Sequence, residues 1–260
     1  MHSEFGEKRE FKRVPALDKC FRILALFADS QRSLCISEIA RNLNYNKSTV
    51  YNLVHTLRDL EVLEQVPEKR FRFGARLYAL GKSSGSGSEL ISTVRPYLEK
   101  ISRETKLSAF LIIRSGDRAI ILDKVDAPGE VRFSSAVGVR VPLLAGAGGK
   151  ALLSQLSDGE LEKFLSKRKL KKFTCASCID PEKYREMIKK TGQEGFAIDD
   201  EEYLAGIRAL AAPLHHPDGK LEAAIWIVGL KSQIRVEDLP SFKSLLKQIV
   251  KKIEIRFGMS

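Results

Sequence analysis

The chain has little cysteine, four residues in 260, and a single tryptophan. Four thiols, at Cys20, Cys35, Cys175 and Cys178, are too few for a disulfide scaffold, so reduced thiols and a cytoplasmic setting are expected. No run approaches the roughly 18 apolar residues of a membrane helix, so no membrane association through such a span is expected. Residues 1–13 carry charges of both signs without an apolar stretch, which argues against a secretory signal. Catalytic signatures are also missing. There is no Gly-x-Ser-x-Gly elbow and no metal triad, and Gly149-Lys150 is followed by Ala151, so it fails the phosphate-cradling Gly-Lys-Ser/Thr pattern. Cys175-Ala176-Ser177-Cys178 is a lone pair without further ligands at zinc spacing, so neither a metal nor a cofactor is expected. What the chain has in excess is positive charge. Lys plus Arg number 44 against 33 Asp plus Glu, a net charge of +11, which points to a polyanionic partner.

The clearest seam is Gly81-Lys82-Ser83-Ser84-Gly85-Ser86-Gly87-Ser88, whose composition favours a flexible connector. The expected organisation is a first domain over 1–82, a Ser/Gly linker over 83–89 and a second domain over 90–260. Residues 1–88 hold 15 Lys and Arg against 10 Asp and Glu, so the smaller part carries a surplus of 5 and is the better candidate for polyanion binding.

In that part, Leu17, Phe21, Leu24 and Ala28 form a helical stripe over 15–28. Ser37 stands as an N-cap before a short helix over 38–43, and Asn44 suits a left-handed turn. A second helix over 47–60 follows Asn46 as its cap, with Val50, Leu53, Val54, Leu57 and Leu60 inward. Two short strands, 63–66 and 70–73, flank Pro67-Glu68-Lys69, and Phe71 and Phe73 alternate with Arg70 and Arg72. Short helix, turn, second helix and basic hairpin make a winged helix-turn-helix pattern. The expected DNA contacts are Lys47, Ser48, Thr49, Tyr51, Asn52 and His55 on the second helix, and Lys69, Arg70 and Arg72 on the hairpin. The alternatives are an ordinary surface helix, a Tyr51 packed on the wing, and a His55 that is either solvated or on a phosphate.

Beyond the seam, Leu90, Val94, Leu98 and Ile101 mark a helix. Strands are expected at 109–114, 119–125, 131–135, 196–199, 207–214 and 221–228, with a turn at Pro217-Asp218-Gly219. Helices are expected at 146–156, 158–166, 181–190 and 236–257, the last with Phe242, Leu245, Ile249 and Ile253 inward. That order describes an α+β domain on a largely antiparallel sheet.

Two sets of residues carry a resemblance. In the first part they are Ile36-Ser37-Glu38-Ile39-Ala40, Asn46-Lys47-Ser48-Thr49-Val50-Tyr51 and Phe73-Gly74. In the second they are the stretches Leu143 to Leu153, Gly195-Phe196-Ala197-Ile198-Asp199-Asp200-Glu201-Glu202, and Gly206-Ile207-Arg208-Ala209-Leu210-Ala211-Ala212-Pro213. Together they resemble the IclR family of bacterial transcription regulators over nearly the whole chain. The resemblance implies a winged helix-turn-helix domain bound to double-stranded DNA, a GAF-like domain for a small-molecule effector, and a homodimer or homotetramer. Asn52 departs from the family's usual Arg, and Asn44 from its usual turn Gly.

The resemblance implies an effector pocket at Leu144, Gly146, Ala147, Gly148, Asp199, Ile207, Ala209, Trp226 and Val228. A glycine-rich turn opening a helix leaves N–H groups for a polar or anionic group, although its glycines can equally serve packing alone. Asp199 is otherwise a turn or capping aspartate in an acidic run. Trp226-Ile227-Val228-Gly229 stands where the family often has Ser-x-Ser-Gly, so a less polar pocket and an aromatic or apolar effector are expected. The competing reading is that Trp226 fills the space.

Three alternatives remain open. Cys175 and Cys178 could sense redox state, or be loop cysteines without a role. The six basic residues in 163–172 are a solvated face or an accessory DNA contact. An enzyme could use Asp199 and Asp200 for acid–base work, but no nucleophile accompanies them.

Overall fold

Two apolar stripes overlap on the first helix, α1 (Pro15–Ser30), and only one of them is core. Ile23 and Phe27 are buried, with Cys20, Leu24 and Leu26 packed beside them. Leu17 and Phe21 of the expected stripe face outward, at 59% and 71% exposure, and Ala28 is exposed. The structure is a computed structural model that describes residues 14–30, 32–83, 86–130, 132–215 and 222–258. Residues 1–13, Val131, His216, the Pro217-Asp218-Gly219 turn and the centre of the Gly/Ser seam lie outside them.

The chain divides into two units, Met1–Gly85 and Ser86–Ser260. In the first, α2 (Ile36–Leu43) starts after Cys35, which is the N-cap residue in place of Ser37. The Cys35 amide donates to Glu38 Oε2 at 2.9 Å, so the acid three residues on closes the helix start. Asn44 adopts φ 52°, ψ 49°, the left-handed turn its side chain tolerates. The next helix, α3 (Lys47–Asp59), buries Val50, Val54 and Leu57, whereas Leu60 ends up 48% exposed beyond its C-terminus. Asn46 holds the N-cap position without a side-chain bond. The hairpin strands β2 (Leu63–Val66) and β3 (Arg70–Phe73) gain a partner in the two-residue β1 (Leu34–Cys35), in the order β1-β3-β2.

The described residues of the Gly/Ser seam are helical. Gly81 to Ser83 close α4 (Ala75–Ser83), and Ser86 opens α5 (Ser86–Thr105). The second unit is built on six antiparallel strands: β4 (Ser108–Ser115), β5 (Arg118–Val125), β6 (Arg140–Pro142), β7 (Ala197–Asp200), β8 (Ile207–Leu214) and β9 (Ala223–Leu230). Their order is β6-β5-β4-β9-β8-β7. Expected strand 131–135 does not form over its described residues. Phe133 instead lays its ring on Phe110 and Trp226 while its carbonyl accepts from Ser108 Oγ, and the edge strand is β6.

Alternation along the strands divides the core into two layers. Leu210, Ala212, Ile225 and Ile227 face α5 and α9 (Leu239–Arg256). On α9, Leu246, Ile249, Val250 and Ile253 are buried, and Phe242 and Leu245 are partly so. Ala209, Ala211, Trp226 and Val228 face the opposite layer, made by α6 (Gly146–Leu153), α7 (Asp158–Leu165) and α8 (Pro181–Glu194). The Asp180 and Ser157 side chains cap α8 and α7. No helix among the described residues is long and apolar enough to cross a membrane.

Candidate nucleic-acid and ligand sites

The α3 N-terminus projects Lys47 and Ser48 into solvent, followed by Tyr51 and Asn52, while Thr49 is half-buried. Burial of Val50 and Val54 against α1 and α2 fixes which face is outermost. Tyr51 is 53% exposed, and its ring lies 4.2 Å from that of His55, which meets Phe71 of the wing edge-on at 5.7 Å. His55 is thus half-buried between α3 and the wing, and Tyr51 leans on it.

The wing cations are less available than their alternation suggested. Arg70 turns back into the unit, bonding Ser33 and pairing with Glu38 Oε2 at 2.8 Å. The Cys35 amide, together with Arg32 and Arg70, holds the Glu38 carboxyl down at about 2. Arg72 pairs across the hairpin with Glu64. Lys69 at the tip is exposed and has no carboxylate partner among the described residues. Sequence pattern places Arg70 on the polar face of a strand. It could not show that β1 brings Ser33 and α2 brings Glu38 to that face.

In the second unit, Gly146, Gly148, Asp199 and Trp226 come together around one enclosed cavity, with Ile112 and Tyr203 also in its wall. Gly146 has φ 64°, and a Cβ there would lie 2.4 Å from Asp199 Oδ2. A Cβ at Gly149 would lie 1.8 Å from the Leu143 carbonyl oxygen, so the glycine lets α6 touch the preceding turn through backbone. The free space is about 10 Å³, room for one water at most. Trp226 fills the rest, 7% exposed, its ring 5.3 Å from Phe110 and its Nε1–H without a partner. Ala147, Ala209 and Val228 lie on the same side of the sheet but behind this wall, and Ile207 is half-buried at the start of β8. Leu144 opens instead on a surface groove.

Asp199 is 4% exposed; burial pushes its carboxyl up to about 6, and Glu202 adds to the shift. The Glu202 amide, donating to Oδ1 at 2.7 Å, and Lys150 act against it. Lys150 was not anticipated as a site residue. It is 2% exposed in a helix whose residues are all buried, and its Nζ donates to Ile198 O at 2.5 Å and to Glu202 at 2.6 Å. The signal was a single lysine inside the apolar octet Gly146–Leu153. Tyr184 is also buried, and its hydroxyl has no partner. Burial, with the nearby charge of Glu202, drives its phenol far above the usual range, so it stays neutral. The loop 173–178 is tied to the same corner, since Thr174 and Ser177 donate to the Glu201 and Glu202 carbonyls. Cys175 is exposed, Cys178 half-buried, and both are free thiols. No group of three or more metal-ligating side chains occurs among the described residues.

Comparison with known proteins agrees with this arrangement. The profile "Bacterial transcriptional regulator IclR C-terminal" matches residues 83–255, and "IclR helix-turn-helix domain" matches 16–67. The transcriptional repressor IclR of Escherichia coli is 28% identical over 249 residues, 95% of this chain and 91% of that protein. The crystal structure of an IclR transcriptional regulator from Alicyclobacillus acidocaldarius superposes with a TM-score of 0.80 at 25% identity, covering 95% of this chain and 100% of that one. An IclR homologue from Microbacterium hydrocarbonoxydans, solved in complex with 4-hydroxybenzoate, gives 0.82 at 22% identity over 94% and 100%. With both halves of the chain matched in order, the helix-turn-helix unit and the sheet unit are parts of one known design, and the chain belongs to the IclR family of bacterial transcriptional regulators.

Proposed function

We propose that this regulator reads its operator with Lys47, Ser48, Thr49, Tyr51 and Asn52, and that its effector is a small aromatic or otherwise largely apolar molecule taken up between α6 and the sheet. Lys69 supplies backbone attraction, and Arg72 does so only when Glu64 releases it. His55 acts by holding the wing against the recognition helix, and Arg70 by tying the wing to α2. The chain works as an oligomer in which each winged unit meets a half-site. The apolar surface left open at Leu17 and Phe21 of α1 and at Val14 just before it supports such pairing.

The observation that carries the effector reading is Trp226 packed into the glycine-rimmed cavity with an unpaired N–H. About 10 Å³ admits no ligand, so binding requires the indole to move. Apolar walls from Ile112 and Val141, with Phe110 and Phe133 packed on the indole, suit an aromatic ring. The α6 amides and the indole N–H would take a carboxylate or hydroxyl. The ligand then favours the arrangement with the indole displaced, and that preference is what it can transmit to DNA binding. The Microbacterium homologue's 4-hydroxybenzoate is of this chemical class. The relatives support a regulator rather than an enzyme, and give no support to thiol sensing.

Trp226 is the single tryptophan, so its emission reports directly on the cavity. Titration of the full-length protein with benzoate and 4-hydroxybenzoate should give a saturable change in emission, together with a change in affinity for its DNA. Emission that is indifferent to every aromatic acid, while a non-aromatic metabolite alters DNA binding, would overturn the reading.

A further inference from the structure

The second unit carries a dense run of basic residues, six Lys and Arg within 163–172. The run 163–172 ends α7 and continues through the following loop, and it meets the β4–β5 hairpin along two open grooves of about 320 and 300 Å³. Arg118, Lys163, Lys167, Arg168, Lys169 and Lys171 line them, and Arg168 belongs to both. None of the six has a carboxylate partner among the described residues. The acids in the same grooves are Asp117 and Glu160, and Glu160 is engaged by the Ser157 cap. Arg114 is the one cation there that is neutralised, by Glu222 at 2.6 Å.

Two of the cations are held rather than free to wave. Arg168 lies 3.9 Å over the Phe164 ring and donates to the Phe164 carbonyl, and Lys171 lies 5.3 Å over Phe173. In the winged unit Arg70, Arg72, Arg32 and Arg58 pair with its own acids, while the exposed Lys47 and Lys69 have no carboxylate partner among the described residues.

We propose that this basic ridge of the sheet unit is a second nucleic-acid surface that holds the phosphate backbone of duplex DNA independently of sequence. Unpaired cations over shallow, open grooves fit an extended polyanion, since each phosphate neutralised releases counterions. The proposal takes from the preceding section only that DNA is the partner. The recognition-helix variants described below test that reading separately.

The full-length protein is titrated with a random-sequence 40-base-pair duplex over a range of salt concentrations. Lys167→Gln/Lys169→Gln/Lys171→Gln removes three exposed ammonium groups that form no hydrogen bond or ion pair in the structure. The control Lys247→Gln/Lys251→Gln/Lys252→Gln removes the same charge from α9. The ridge triple should lower the slope of log K against log salt by about 2.7, at roughly 0.9 per contact, while the α9 triple leaves it near wild type. Equal loss in both triples means bulk charge alone and overturns the proposal. So does an unchanged ridge slope, including the case where inorganic pyrophosphate shields the ridge lysines from acetylation, which would make the groove a small-anion site.

Discussion

Replacing Trp226 by Ala tests whether the space between α6 and the sheet is a ligand cavity plugged by its own side chain. A buried aromatic removes roughly 150–250 Å² from water, and truncating one to Ala costs about 3–5 kcal/mol. The unpaired Nε1–H offsets part of this, because an unsatisfied buried donor costs about 1–3 kcal/mol. Taking the middle of each range, the net loss should be about 2 kcal/mol. For a unit of this size that lowers Tm by about 4–8 °C, measured by calorimetry or circular dichroism because the variant has no tryptophan. Trp226→Phe sheds the N–H and keeps most of the ring, so it should lie within about 1 kcal/mol of wild type. The Ala variant leaves a hole on the order of 150 Å³, the size at which apolar cavities take benzene-like guests. Indole at a hundred times its Kd should then restore about 2.7 kcal/mol. If the Ala variant melts with wild type, the indole does not pack as described. If it is destabilised but indole gives no rescue, the space collapses and is not a ligand site.

Other expectations follow from the same geometry. Asp199 has a folded pKa of about 6 against 3.8 for the free group, so the folded state holds the extra proton between these values. Its contribution is full below about pH 4 and is lost as pH rises through about 6, a swing of up to about 3 kcal/mol. Asp199→Asn should flatten that limb of the stability–pH curve and raise stability at pH 7; an unaltered curve would refute the burial argument. Lys150→Met strands Glu202 and should cost about 3–5 kcal/mol by denaturant unfolding, with Lys150→Met/Glu202→Leu recovering most of it. On DNA, Asn52→Ala should cost about 1–3 kcal/mol and relax preference at one base position in a binding-site selection. Lys69→Gln should weaken all sequences alike and reduce the salt slope by about 0.9; loss of preference without a slope change would reverse these roles.

The helix-turn-helix was legible because its signals are local: Asn44 in a left-handed turn, Val50 and Val54 at helical spacing, and alternation in Arg70–Phe73. The identity of the buried face of α1 was not legible. Leu17 and Phe21 recur with the same period as Cys20, Ile23 and Phe27, and only the packing against the rest of the unit decides between them. Composition did not show the helical residues on either side of the seam's centre, since glycine and serine weaken a helix by about 1 kcal/mol or less each without forbidding it. Phe133 alternates like a strand because its ring must reach Trp226, although its backbone pairs with no ladder. At the candidate site, resemblance indicated the glycine turn, Asp199 and Trp226. Lys150 and the loss of Arg70 to Glu38 depend on contacts 52 and 32 residues away in sequence.

The contact between Gly149 and the Leu143 carbonyl has a consequence for how such a regulator can be retuned. One wall of the cavity is backbone against backbone, and any side chain at 149 would pry α6 from its seat. On the effector reading proposed above, ligand preference would be varied through the side chains of the remaining wall, chiefly Ile112 and Trp226 from the sheet, with Asp199 and Tyr203 beside them. A biosensor library built on this scaffold should randomise those floor positions and hold the glycine roof constant.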